Sequence, residues 1–264
     1  MVILSPEPLT LHGGCFCRAI RYTINILGLE HRPILPGAVD TRLPPHLRGH
    51  EAPPDIDNVS ETVPTKFPVI PLDHCETCRS VSGGIIQCWI ISPLEWVKWD
   101  LLPRVPNQKP SYHHPQAASD GDDRASPVQN NPKSEIRWLD IPSIDVVARE
   151  TKMGQRTGAS TTTGASTENT YMNYLHSTEK VTRTFCSRCG TNLSFFYDRP
   201  ASSPVPPIVD IAVGSLDAES LSAIHPDRHN WWASGVPWVQ RLLREGDGGL
   251  MRHPTGSLAT VAKD

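Results

Sequence analysis

Thr184-Phe-Cys186-Ser-Arg-Cys189-Gly190-Thr191 holds two cysteines three residues apart with a glycine directly behind them. A C-x-x-C followed by glycine suits a zinc knuckle, a turn whose backbone N–H groups can face the sulfurs and whose glycine accepts a left-handed conformation. Near the other end, Cys15-Phe16-Cys17 places two thiols at i and i+2, just before the alternating stretch Ile20-Arg21-Tyr22-Thr23-Ile24. In extended chain both would project from the same side. Four thiolates complete a closed tetrahedral site, in which zinc–sulfur bonds near 2.3 Å put the sulfurs roughly 3.8 Å apart. Cys15, Cys17, Cys186 and Cys189 are therefore assigned to one structural zinc that pins the N-terminal strand to the C-terminal half. An ion so bound contributes on the order of 10 kcal/mol to folding, comparable with the whole stability of a small domain.

The third pair lies in Asp73-His74-Cys75-Glu76-Thr77-Cys78-Arg79. It has too few soft donors for a closed site. Asp73, Cys75 and Cys78 offer three ligands and leave a fourth position open, the arrangement of a catalytic zinc. A carboxylate oxygen binds zinc less tightly than a third thiolate would. The chain has seven cysteines, an odd number, and its first ten residues hold only Val2-Ile3-Leu4 as an apolar run before Ser5-Pro6. A disulfide framework is thus disfavoured, and a cytoplasmic, reducing setting is expected. Cys88, in Gln87-Cys88-Trp89, reads as a buried core thiol.

With 26 prolines, 18 glycines and 38% hydrophobic residues in 264, the composition predicts one compact core and much loop. No stretch approaches 18 consecutive apolar residues, and a net charge of −3 carries no nucleic-acid footprint, so neither a membrane span nor a nucleic-acid partner is expected. Residues 29–71 hold nine prolines, which prevents a regular helix or a central strand there. Residues 103–134 hold six prolines, and 151–170 hold nine Ser/Thr with three Gly; both read as surface loops. Short β-branched or aromatic runs at 20–24, 84–91, 96–102, 135–139, 144–149, 181–185, 192–198 and 208–213 read as strands. Only 217–224 has helical character, with a turn at 171–175. The expected fold is mainly β: a single zinc-stapled domain of small antiparallel sheets over 8–240, with loop insertions at 29–71, 103–134 and 151–170 and a tail at 241–264.

Three blocks resemble the glutathione-dependent formaldehyde-activating enzymes, or S-(hydroxymethyl)glutathione synthases, whose domain is shared with centromere protein V. His12-Gly-Gly-Cys-Phe-Cys17 with Ile20-Arg21-Tyr22 is similar to that family's opening G-x-C-x-C-G block. His74 to Arg79 resembles its central C-H-C-x-x-C-R block, and Thr184 to Thr191 its F-C-x-x-C-G block. Gly214-Ser-Leu-Asp217, His229 and Pro237-Trp238 are similar to its C-terminal positions. Arg18 stands where the family has glycine, and Asp73 where it has the first of three central cysteines. The resemblance implies a β-tent-like fold, a structural zinc on the four outer cysteines and a catalytic zinc on the central ones. It also implies a carbon–sulfur lyase that joins glutathione to formaldehyde or cleaves their adduct. Asp73 opens the alternative of another thiol adduct or small electrophile in a biosynthetic pathway.

Arg79 is the candidate to hold a glutathione carboxylate. His229 reads as a ligand or acid/base group near the zinc, or as a packed core histidine. Glu76 reads as an exposed turn carboxylate, His113-His114 as loop, and Trp89, Trp96, Trp99 and Trp138 as core. From a different class, the rival reading is a non-catalytic zinc-stabilised β module that binds a protein partner through its long loops.

Overall fold

Alternating side chains at the N-terminus build the first sheet of the computed structural model, which describes residues 4–41, 62–104, 138–147 and 167–247. Strands β1 (Leu9–Gly14) and β2 (Ile20–Ile26) form an antiparallel hairpin with Leu11 opposite Ile24 and Gly13 opposite Tyr22. Ile20, Tyr22, Ile24 and Ile26 are buried and the residues between them half-buried, as the period of two requires. Each such burial stabilises the fold by roughly 1.5–3 kcal/mol. Close approach demands the two glycines that end β1. A Cβ on Gly13 would lie 2.3 Å from the Tyr22 hydroxyl, itself 2.7 Å from Ser215 Oγ, and one on Gly14 would lie 2.2 Å from the Ile20 carbonyl oxygen.

Strands β3 (Ile34–Thr41) and β4 (Thr62–Lys66) make a two-stranded sheet in the proline-rich segment, where no central strand was expected. Next come β5 (Pro71–Asp73), helix α1 (Glu76–Ser82), β6 (Gln87–Pro93), β7 (Val97–Leu101) and β8 (Leu139–Ile141). β7 pairs with β2 and β8, giving the order β1-β2-β7-β8. After α2 (Ser143–Val147) the chain forms β9 (Met172–Thr178), β10 (Val181–Cys186), β11 (Asn192–Tyr197) and β12 (Ile208–Ala212), which run antiparallel in the order β6-β12-β11-β10-β9. Helix α3 (Ala218–Ser222), β13 (Arg228–Asn230) and α4 (Pro237–Glu245) follow. The described residues are thus mainly β, in several small antiparallel sheets, and none of their helices is long and apolar enough to cross a membrane.

Two compact units emerge. One comprises residues 4–39, 64–72, 88–104, 138–147 and 167–228; the other comprises 40–41, 62–63, 73–87 and 229–247. The first holds the core, where Tyr22 and Trp99 meet at 5.3 Å between ring centroids among Leu11, Ile24, Leu101 and Ile141. The second holds α1 and α4.

Several expectations give way to packing. Residues 144–147 form α2 rather than a strand, because Pro142 offers its carbonyl to the N–H groups of Asp145 and Val146 and starts a helical turn that buries Val146 and Val147. The turn expected at 171–175 is largely β9, laid along β10 with Met172 opposite Cys186 and Tyr174 opposite Thr184. The strand expected from 84 begins only at Gln87, since Gly83 (φ 70°) ends α1 just before it. Trp89, Trp96 and Trp99 are buried, whereas Trp138 is exposed. Cys88 is half-buried, its thiol pushed up to about 11 chiefly by burial. Residues 42–61, 105–137, 148–166 and 248–264 lie outside the described residues, and with them fall most of the expected insertions, residues 135–137 and 148–149 of two expected strands, His113-His114 and most of the tail.

Candidate metal centres

Two hairpin turns of the first unit bring four sulfurs together. Cys15-Phe16-Cys17 is the β1–β2 turn, not the extended chain expected for it: Arg18 N–H donates to the Cys15 carbonyl at 2.9 Å, and Arg18 sits at φ 60°. Cys186-Ser-Arg-Cys189-Gly190 is the β10–β11 turn, closed by Gly190 N–H donating to the Cys186 carbonyl at 2.8 Å, with Gly190 at φ 77°. The glycine thus takes the left-handed conformation the knuckle needs. Sγ of Cys17 lies 3.5 Å from that of Cys15 and 3.7 Å from that of Cys186, and the four sulfurs all lie within 4.8 Å of one another. These separations suit the edges of a tetrahedral thiolate site.

Backbone amides complete the fit. Ile20 N–H points at Cys15 Sγ, Ala19 N–H at Cys17 Sγ, and those of Arg188 and Cys189 at Cys186 Sγ. The Cys15 thiol is held well above the usual thiol value by its hydrogen bonds with Cys17 and Cys186 and by burial. Cys17 is drawn far below it, chiefly by Cys15 and then Cys186. One thiolate is stabilised by its neighbours' protons, and a divalent ion is what would let the other sulfurs ionise beside it. Thr191 links the two turns: its hydroxyl accepts from Phe16 N–H at 3.0 Å and lies 3.2 Å from Cys189 Sγ.

The second unit carries a separate donor group. Asp73, Cys75 and Cys78 also place one ligand atom each within 4.8 Å of the others. Cys75 caps α1 and Cys78 lies one turn in, which sets the two sulfurs on one side of the helix start. Asp73 is buried, and its Oδ1 accepts from Cys75 N–H at 2.9 Å, which fixes the carboxylate against the helix entry. Two thiolates and a carboxylate fit a divalent ion with room for one further ligand.

His74 lies between two of these donors and meets His229, with Nε2 of the first 3.1 Å from Nδ1 of the second. Trp232 packs on both rings, at 5.0 Å and 4.8 Å between centroids. Burial, with His74 adding to it at His229, holds both imidazoles below the usual histidine value. Arg79, one residue beyond Cys78, is partly exposed with Glu76 at 3.9 Å and opens on a cleft of about 620 Å³ that Ile85, Val236 and Trp238 also line. The structure thus brings each set of expected ligands together and seats Arg79 and His229 in the unit of the three-donor group. Sequence reasoning missed Thr191, His74 and Trp232 as partners. His74 and Thr191 do stand inside the quoted blocks, directly beside a cysteine and a glycine.

The family model described as glutathione-dependent formaldehyde-activating enzyme matches residues 148–234, a segment that includes Cys186, Cys189, Gly214 to Asp217 and His229. No curated protein matches the chain. The matched model describes the family that the cysteine blocks resemble, and its match takes in the block at Cys186 and Cys189.

Proposed function

We propose that the chain is a zinc-dependent carbon–sulfur lyase that forms or cleaves the adduct of formaldehyde with glutathione, or of a related small electrophile with another thiol. The observation that carries this reading is the three-donor group, distinct from the four-sulfur group and short of a closed coordination shell. Asp73, Cys75 and Cys78 would hold the working ion, and Cys15, Cys17, Cys186 and Cys189 a structural one. A zinc ion at the first of these supplies positive charge that favours an ionised thiol or polarises an aldehyde carbonyl.

The chain's own residues do the rest. The hydrogen bond from Cys75 N–H keeps Asp73 turned toward the sulfurs. Arg79, whose guanidinium lies 3.9 Å from Glu76, can offer it to a carboxylate of an anionic thiol such as glutathione. The cleft beside it has apolar walls for the rest of a small molecule. Exchange of labelled formaldehyde with glutathione, followed by NMR, tests the proposal. Zinc-loaded protein should speed the exchange and Cys78→Ser should abolish the gain. No acceleration by fully loaded protein would refute the glutathione assignment.

A further inference from the structure

Building on that reading, we infer that His229 carries the proton between the thiol and the adduct hydroxyl, and that His74 is its positioning residue. His74 is 3% exposed, whereas His229 is exposed, so the pair runs from the interior of its unit to the surface. The backbone N–H of His74 donates to the Asn230 carbonyl at 3.0 Å, which ties the segment bearing Asp73, Cys75 and Cys78 to the one bearing His229. The 3.1 Å contact engages His229 Nδ1 and leaves Nε2 as the nitrogen able to exchange a proton with a bound molecule.

The enclosure is built rather than incidental. Trp232 lies against both imidazoles, Gln240 Nε2 donates to its carbonyl at 2.5 Å, and the Arg244 guanidinium sits 5.1 Å from its ring centroid. A Cβ on Gly235 would come 2.9 Å from His74 Nδ1, so only glycine leaves room for that ring. The arrangement serves a base in one tautomer: His229 Nδ1–H donates to His74 Nε2, and His229 Nε2 keeps its lone pair. In adduct formation the S–H proton passes to His229 Nε2, sulfur forms the S–C bond, and the carbonyl π pair moves to oxygen. That oxygen then takes the proton back from Nε2. Cleavage reverses each step, and nothing is oxidised or consumed.

Long-range 1H–15N NMR of the full chain, labelled at histidine, reads the tautomer without turnover. His229 should carry its proton on Nδ1 in the wild type, and His74→Leu should scramble this preference; a wild-type His229 protonated mainly on Nε2 would overturn the inference. In the exchange assay His229→Gln should lower kcat about 10²- to 10⁴-fold with KM and zinc content unchanged. His74→Leu should match that loss, and His74→Gln, whose amide can replace the Nε2 contact, should recover part of it. Because His229 is exposed, His229→Gln carries the test whether or not His74→Leu folds. Wild-type acceleration together with a His229→Gln rate within about twofold of it would overturn the inference alone. A wild type without acceleration overturns the thiol-adduct reading, and the inference with it.

Discussion

The two donor groups differ less in chemistry than in the length of chain they close. Cys17 and Cys186 are 169 residues apart and their sulfurs touch, so an ion among the four sulfurs would cross-link two hairpins of one unit. Asp73, Cys75 and Cys78 fall within six residues at the start of one short helix, and an ion there closes almost no loop. Loop-closure entropy is recovered in the first case and barely enters the second. A closed, long-range group is thus suited to holding the fold, and an open, local one to exchanging ligands.

Breaking the first group should have the largest effect. Cys186→Ser removes a fully buried sulfur of the four, and the loss should approach the order of 10 kcal/mol that a structural zinc there would contribute. Thermal unfolding followed by circular dichroism should lose its cooperative transition; a melt close to wild type would erase the distinction. Asp73→Cys sharpens the comparison from the other side. A third thiolate should raise zinc affinity of the local group roughly tenfold or more, about 1.4 kcal/mol, read by chelator competition. Unchanged affinity would mean that the carboxylate is no ligand.

Smaller effects report on the frame of the four-sulfur group. Arg18 occupies the left-handed region that glycine accepts freely. Arg18→Gly should therefore stabilise the chain by up to about 1 kcal/mol in a denaturant titration. Asp217 faces Arg21, which holds its carboxyl below the ordinary carboxylate value, mainly through their hydrogen bonds. With the folded value depressed, this stability is present above the unfolded value near 3.8 and is lost as pH falls through the folded one. Both side chains are substantially exposed, so Asp217→Asn should cost less than about 1 kcal/mol at pH 7 and progressively less in acid.

What the sequence made legible follows the same division. Alternation at Ile20 to Ile24 and the fixed spacing of Cys186, Cys189 and Gly190 are local signals, and they located a strand and a knuckle. The Ile144-Asp-Val-Val147 run carried β-branched side chains into a helix because Pro142 supplied a carbonyl at its start, which no propensity records. Tyr171 to Leu175 became strand through its partner β10, a contact made by chain folding rather than composition. Helix α1 was hidden because Cys75 to Cys78 read as ligands on a turn, although the same spacing is one turn of helix. Pairing of His74 with His229 spans 155 residues and leaves no periodic trace.

Zinc per chain, measured on the purified wild type and on Cys78→Ser, tests the central distinction most directly. The account predicts two equivalents in the wild type, and one in a Cys78→Ser variant that keeps its wild-type circular dichroism spectrum. One equivalent in both proteins, or a Cys78→Ser variant that unfolds as Cys186→Ser does, would contradict it.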